Sequence, residues 1–144
     1  MKEPDLQSGA LSIWVLSRAF PESRDYFDGN WLVVRATVNV GRSSVTTEGV
    51  ILMTADFARF RDELATMQTT LVGEARLDSY EPNLKLVLSA RSLGHISWKL
   101  EITPDHLNEH HTFEDGFDQT YIKPLIDSCD AILERFPVVG HPGS

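Results

Sequence analysis

Apolar and polar positions alternate with a period of two along much of this chain. Leu11, Ile13 and Val15 share one side of an extended segment, and Leu32, Val34, Ala36, Val38 and Val40 share one side of residues 31–40, with Arg35, Thr37 and Asn39 opposite. Side chains of a strand point alternately to its two faces, so the spacing predicts two strands, each with one buried face. Residues 45–53 continue as a third strand rich in β-branched residues, reached through the reversal Gly41-Arg42-Ser43, and strands two and three form an antiparallel hairpin. Gly49 inside the third strand marks a bulge or a close backbone approach.

The period then changes. Phe57, Phe60, Leu64, Met67 and Leu71 recur at steps of three and four, which places them on one stripe of a helix, with Arg59, Arg61, Asp62 and Glu63 on the other side. Thr54 reads as the N-cap, and Asp56 sets a negative charge near the positive end of the helix dipole. Gly73 breaks the helical pattern, and Ala75 and Leu77 open a fourth strand that ends at Glu81-Pro82-Asn83. Leu84, Leu86, Leu88 and Ala90 mark a fifth strand, and Ile96, Trp98, Leu100 and Ile102 a sixth, with Ser92-Leu93-Gly94 between them. After Thr103-Pro104 a polar loop of roughly fifteen residues leads to a last helix over 120–136, longer than most connections in compact domains. Ile122, Leu125, Ile126, Cys129, Ile132, Leu133 and Phe136 repeat there at helical spacing, Pro124 falls near the first turn, and Pro137 stops the helix. The expected fold is α+β: a mainly antiparallel sheet of about six strands with two helices on one face, in the order βββαβββα.

Chain length turns this pattern into one expected domain over residues 1–144 with short flexible termini, since 144 residues lie inside the usual range for a single core. The apolar share of 42% and the charged share of 24% are ordinary for a globular protein and argue against disorder. A single cysteine, Cys129, excludes an internal disulfide and a cysteine-rich metal site; on its apolar stripe it reads as a buried residue. The first residues lack a signal-peptide pattern and no apolar run reaches membrane-span length, so the expected location is the cytoplasm.

Charge sharpens the picture of partners. The net charge of −8 argues against direct binding to nucleic-acid phosphates or an anionic membrane and favours a basic partner. The excess is concentrated, because residues 101–134 hold nine acids and one base, Lys123, which accounts for the whole imbalance. Asp105, Glu109, Glu114, Asp115 and Asp118 therefore form the candidate docking face for a basic protein, with Phe113 or Phe117 as its apolar anchor.

Catalytic chemistry finds little support. His106 and His110 stand four apart near Asp105, Glu109, Glu114 and His111, but Leu107 occupies the place of the glutamate in the zinc protease pattern, so a solvated loop is favoured over a metal site. No Gly-x-Ser-x-Gly turn or phosphate-binding glycine motif is present. The carboxylate pairs Asp25 with Asp28 and Asp115 with Asp118 read as solvated charge rather than acid–base pairs. No cofactor is expected.

The segment Asp25-Tyr26-Phe27-Asp28-Gly29-Asn30-Trp31-Leu32 combines a chain reversal with an aromatic cluster at the mouth of a strand. Asp28, Gly29 and Asn30 tolerate positive φ and make local hydrogen bonds, and Trp31 anchors the sheet edge. This stretch resembles the turn signature of the WapI-type bacterial immunity proteins, with Phe27 where members of that family often carry Trp. The resemblance extends to Phe57-Ala58-Arg59-Phe60, to Glu81-Pro82-Asn83-Leu84 and to Asp118-Gln119-Thr120-Tyr121 before Phe136-Pro137. It implies a non-catalytic protein that binds and neutralises a cognate toxin domain, such as a nuclease, in the bacterial cytoplasm; the basic surface of that domain is the expectation from charge. The alternative is a small enzyme or ligand-binding domain that uses the space between helices and sheet.

Overall fold

The computed structural model describes residues 2–143; Met1 and Ser144, the ends of the expected domain, lie outside the described residues. Among the described residues, eight strands form two antiparallel meanders rather than one six-stranded sheet. The first comprises β1 (Leu6–Ser8), β2 (Leu11–Arg18), β3 (Trp31–Val40) and β4 (Ser43–Met53), and the second comprises β5 (Glu74–Asp78), β6 (Leu84–Ala90), β7 (His95–Ile102) and β8 (His111–Asp118). Three helices are interspersed: the single turn α1 (Tyr26–Gly29), then α2 (Thr54–Thr70) between the two sheets, and α3 (Ile122–Arg135) at the end.

The inner faces of both sheets and the stripes of α2 and α3 converge on one hydrophobic core. Leu11, Ile13 and Val15 of β2, Leu32 to Val38 at alternate positions of β3, and Ile96 to Ile102 at alternate positions of β7 are all buried, as their period-two pattern requires. Along α2, Phe57, Phe60, Leu64 and Met67 are buried, but the stripe stops there. Leu71 is instead the left-handed C-cap, with φ 58° and its amide donating to Met67 O, and it stands 42% exposed. The helix also begins one residue earlier than the cap residue suggests. Met53 is the N-cap, Thr54 is the first helical residue and is buried, and Asp56 reaches back to accept the Met53 amide at 2.8 Å. Cys129 is fully buried, and burial pushes its thiol up to about 12.

Two strands escape the periodicity. β1 is too short for a pattern to register, and β8 falls within the expected polar loop because its outward positions are polar or glycine and its inward ones include His111 and Asp115. Gly49 sits beside the bulge that shifts the β3–β4 register between Leu32 and Val33; its φ of +151° explains the glycine, and no atom crowds it.

The sheets are joined at a polar and an aromatic contact. Trp98 of β7 donates its indole N–H to Ser8 Oγ of β1 at 3.0 Å in a buried setting. Gly9, at φ +57° in the β1–β2 turn, lies over the Phe117 ring so closely that a Cβ there would meet Cζ at 2.7 Å. Arg61 of α2 ties to Asp130 of α3 at 2.8 Å on the far side of the core.

Candidate partner-binding surface

The segment Asp25–Leu32 builds a latch. Asp25 caps α1, its carboxylate accepting the amides of Phe27 and Asp28 at 3.0 Å each. Neither Gly29 nor Asn30 has the positive φ that the composition of the turn suggested; Asn30 sits at φ −93°. Glycine is required at 29 for space, because a Cβ would lie 2.7 Å from Ser23 O and from Val139 Cγ2. Asn30 is fully buried, donates to Tyr26 O at 2.7 Å and Val139 O at 2.9 Å, and accepts from Val139 N at 2.9 Å. Arg18 adds hydrogen bonds to Gly29 O and Pro137 O, so residues 137–139 are bonded onto this turn. Asp28 is exposed, and Trp31 lies half-buried on the outer face of an interior strand rather than at a sheet edge.

The candidate acidic residues lie along the second sheet's outer strand and the loop before it. In β8, His111, Phe113, Asp115 and Phe117 oppose the inward Ile102, Leu100, Trp98 and Ile96, whereas Thr112, Glu114, Gly116 and Asp118 share the outer face. Seven residue steps separate the ends of β8, about 23 Å at the usual strand rise, so Asp105, Glu109, Glu114, Asp115 and Asp118 are strung along an edge rather than gathered at a point.

Several of these carboxylates have local duties. Asp118 caps the 3-10 turn Gln119–Tyr121, accepting from the Thr120 hydroxyl and, at 2.8 Å, the Thr120 amide, and these bonds hold it below the usual carboxylate range. Asp105 is held low in the same way by the Asn108 side chain at 2.7 Å and the Leu107 amide at 3.0 Å. Asp115 accepts the Gly116 amide at 2.8 Å, and Glu109 meets His111 Nε2 at 3.1 Å. Among the described residues, the Glu114 carboxylate alone of the five has no hydrogen bond or ion pair; Lys99 is its cross-strand neighbour.

Phe117 turns inward. Its ring meets Trp98 edge to face at 6.2 Å and Tyr121 at 5.0 Å, and Phe113 likewise packs against the core. The aromatic presented to solvent beside them is Tyr121, 54% exposed, which the helical pattern gave no reason to single out.

The outer face of the second sheet carries a groove of about 470 Å3 in which Arg76, Lys85, Arg91 and Lys99 stand among Glu74, Glu101 and Glu114. The sheet surface thus interleaves both signs, and Asp127, Asp130 and Glu134 of the acidic stretch fall on α3, where Asp127 pairs with Lys123 and Asp130 with Arg61. The histidines take separate partners: His110 Nε2 pairs with Thr112 Oγ1 at 3.2 Å and lies 3.9 Å from Glu101, while His111 points to Glu109. Among the described residues, no group of three or more His, Cys, Asp or Glu side chains could hold a metal ion.

The most perturbed carboxylate is Asp56, which the sequence marked only as helix-start charge. Burial pushes it up to about 6, against the Met53 amide and Arg59, 3.6 Å away, which favour the ionised form. It lines a second groove with Tyr26, Arg59 and Tyr80.

Solved structures similar to this chain include the plant transcriptional regulator PBF-2, with a TM-score of 0.53 and 8% identity over 91% of this chain and 79% of that one. WHY1 from Arabidopsis thaliana has a TM-score of 0.50 and 9% identity over 91% of this chain and 87% of its own. A chain of the CdiA-CT/CdiI toxin and immunity complex from Enterobacter cloacae covers 70% of this chain and 89% of its own, with a TM-score of 0.44 and 11% identity. Identities this low speak to the fold alone. No functionally curated protein matches the sequence. The model of the WapI-like immunity protein family matches residues 4–137, from the strand that opens the first sheet to the proline that follows α3, and the chain belongs to that family.

Proposed function

We propose that this protein neutralises a cognate bacterial toxin domain by binding it noncovalently in the cytoplasm, without catalysis and without a cofactor. Membership of the immunity family, over nearly the whole chain, is the observation that carries this reading. The toxin domain is one with a basic surface, such as a nuclease: an enzyme that grips phosphates presents cations, and an acidic inhibitor gains association rate and specificity from complementary charge. Support for an acidic docking surface comes from Glu114 and Asp115 on β8, continued by Glu109 and Asp105 in the preceding loop and Asp118 at the strand's end. The same net charge of −8 disfavours direct binding to nucleic acid. Among the described residues no helix is long and apolar enough to cross a membrane.

The test is co-expression with the C-terminal domain of the protein encoded immediately upstream. Growth should be rescued, and the two chains should co-elute on size exclusion. Continued toxicity without a complex would overturn the assignment.

A further inference from the structure

Each meander has two outer strands, and the four edges are treated differently. β1 is only three residues long. β5 is closed by α2, whose Glu63 Oε1 accepts the Arg76 amide at 2.8 Å. β4 is bulged near Ile51, Asp56 takes its Met53 amide, and Ser79 Oγ donates to Ile51 O at 2.6 Å; its open part, 43–50, carries one charge, Glu48, 3.7 Å from Arg35. β8 is different. It runs for eight residues, and among the described residues no strand pairs with its outer side.

The Gly116 amide identifies which β8 groups face outward. It donates to Asp115 Oδ1, and because Arg91 N donates to His95 O and Thr103 N to Asn83 O, the odd-numbered residues of β7 bond toward β6, so Gly116, opposite Ser97, occupies a non-hydrogen-bonded position. In an antiparallel ladder both backbone groups of such a residue point away from the partner strand, and the period of two extends this to Thr112 and Glu114. An edge of this length with outward donors and acceptors is a template for one more strand.

We propose that the partner adds an extended segment along β8 as a fifth strand of the second sheet, a segment with Lys or Arg at alternate positions. This rests on the toxin-binding reading and specifies how the partner engages. Main-chain pairing supplies affinity in such additions, and the alternate side chains supply specificity. Lys99 stands across from Glu114, but neither Glu114 nor Asp115 and Asp118 beyond it is held in an ion pair among the described residues, so basic residues on the incoming strand meet carboxylates available for pairing. The same charges disfavour a second copy of this chain. A two-fold pairing centred on 114 sets Glu114 against Glu114, one on 115 sets Asp115 against Asp115, and one on 116 sets Glu114 against Asp118; like charges directly opposite are destabilising.

Two probes test it by amide hydrogen exchange on the full chain: an eight-residue peptide of alternating Lys and Val, with a Glu and Val peptide as control, and the neighbouring toxin domain. The Lys–Val peptide should slow exchange at Thr112 and Glu114 about tenfold or more, and the Glu–Val peptide should not. Glu114→Pro removes an outward N–H without touching the β7 ladder and should abolish binding, whereas Glu114→Gln should only weaken it. A toxin complex that leaves these amides unprotected, or that forms equally well with Glu114→Pro, overturns strand addition while the inhibitor reading stands. If the toxin domain forms no complex, the inhibitor reading falls and the peptide decides the edge: protection upholds it, and unchanged exchange overturns it.

Discussion

Replacing Asn30 by alanine removes three hydrogen bonds from a position with no solvent access and leaves Tyr26 O and both backbone groups of Val139 without that partner. Buried polar groups stripped of partners cost about 1–3 kcal/mol each, so Asn30→Ala should lower stability by roughly 2–4 kcal/mol in urea unfolding. A change within ~0.5 kcal/mol would show that the latch contributes nothing. Asp56 gives the second residue-scale prediction. Its folded value of about 6 stands above the ordinary 3.8, so the stability it contributes is fully present below pH 3.8 and is lost as pH rises through about 6. The carboxyl resonance of Asp56 should titrate with a midpoint near 6, and Asp56→Asn should flatten the pH dependence of stability across that window. A midpoint in the ordinary carboxylate range would remove the desolvation argument.

Among the elements, the β1–β2 turn matters more than its length suggests, since it is where the first sheet rests on the second. Gly9 combines a left-handed φ with contact against Phe117, so Gly9→Ala meets both a backbone cost of about 1–2 kcal/mol and an overpacked ring. The expected result is a lower urea midpoint together with faster amide exchange in β8, the strand that carries Phe117. Normal β8 exchange in a destabilised variant would separate the turn from the strand. The two long helices were the more legible elements, whereas the single turn α1 was read as a chain reversal: the three-and-four spacing of Phe57, Phe60, Leu64 and Met67 located α2, and only its ends moved. β8 was not legible, because His111 and Asp115 occupy inward positions and dilute the alternation that Phe113 and Phe117 would otherwise show.

At the scale of the whole molecule, charge excess and fold have to be read together. The acids of residues 101–134 look like one block in the sequence, yet the strand pairing sets Lys99 across from Glu114, and Asp127, Asp130 and Glu134 lie apart from β8 on α3. Glu114→Lys with Asp115→Lys should therefore slow association with a basic partner by about tenfold or more and flatten its dependence on ionic strength, read by stopped-flow at several salt concentrations. Asp118 is the poorer choice for reversal because it caps the turn leading into α3. Unchanged rates would remove the β8 side as the docking surface.

What the sequence determined by itself was local: the strand and helix periods, the position of the core faces, the acidic excess and the family signature. These depend on neighbours a few residues apart, which a linear reading sees directly. Tertiary structure alone decided that the strands divide into two meanders, that Phe117 turns inward, and that Asn30 holds Val139 from 109 residues away. Strand pairing and buried side-chain bonds join distant parts of the chain, and their energies depend on which groups the finished core excludes from water.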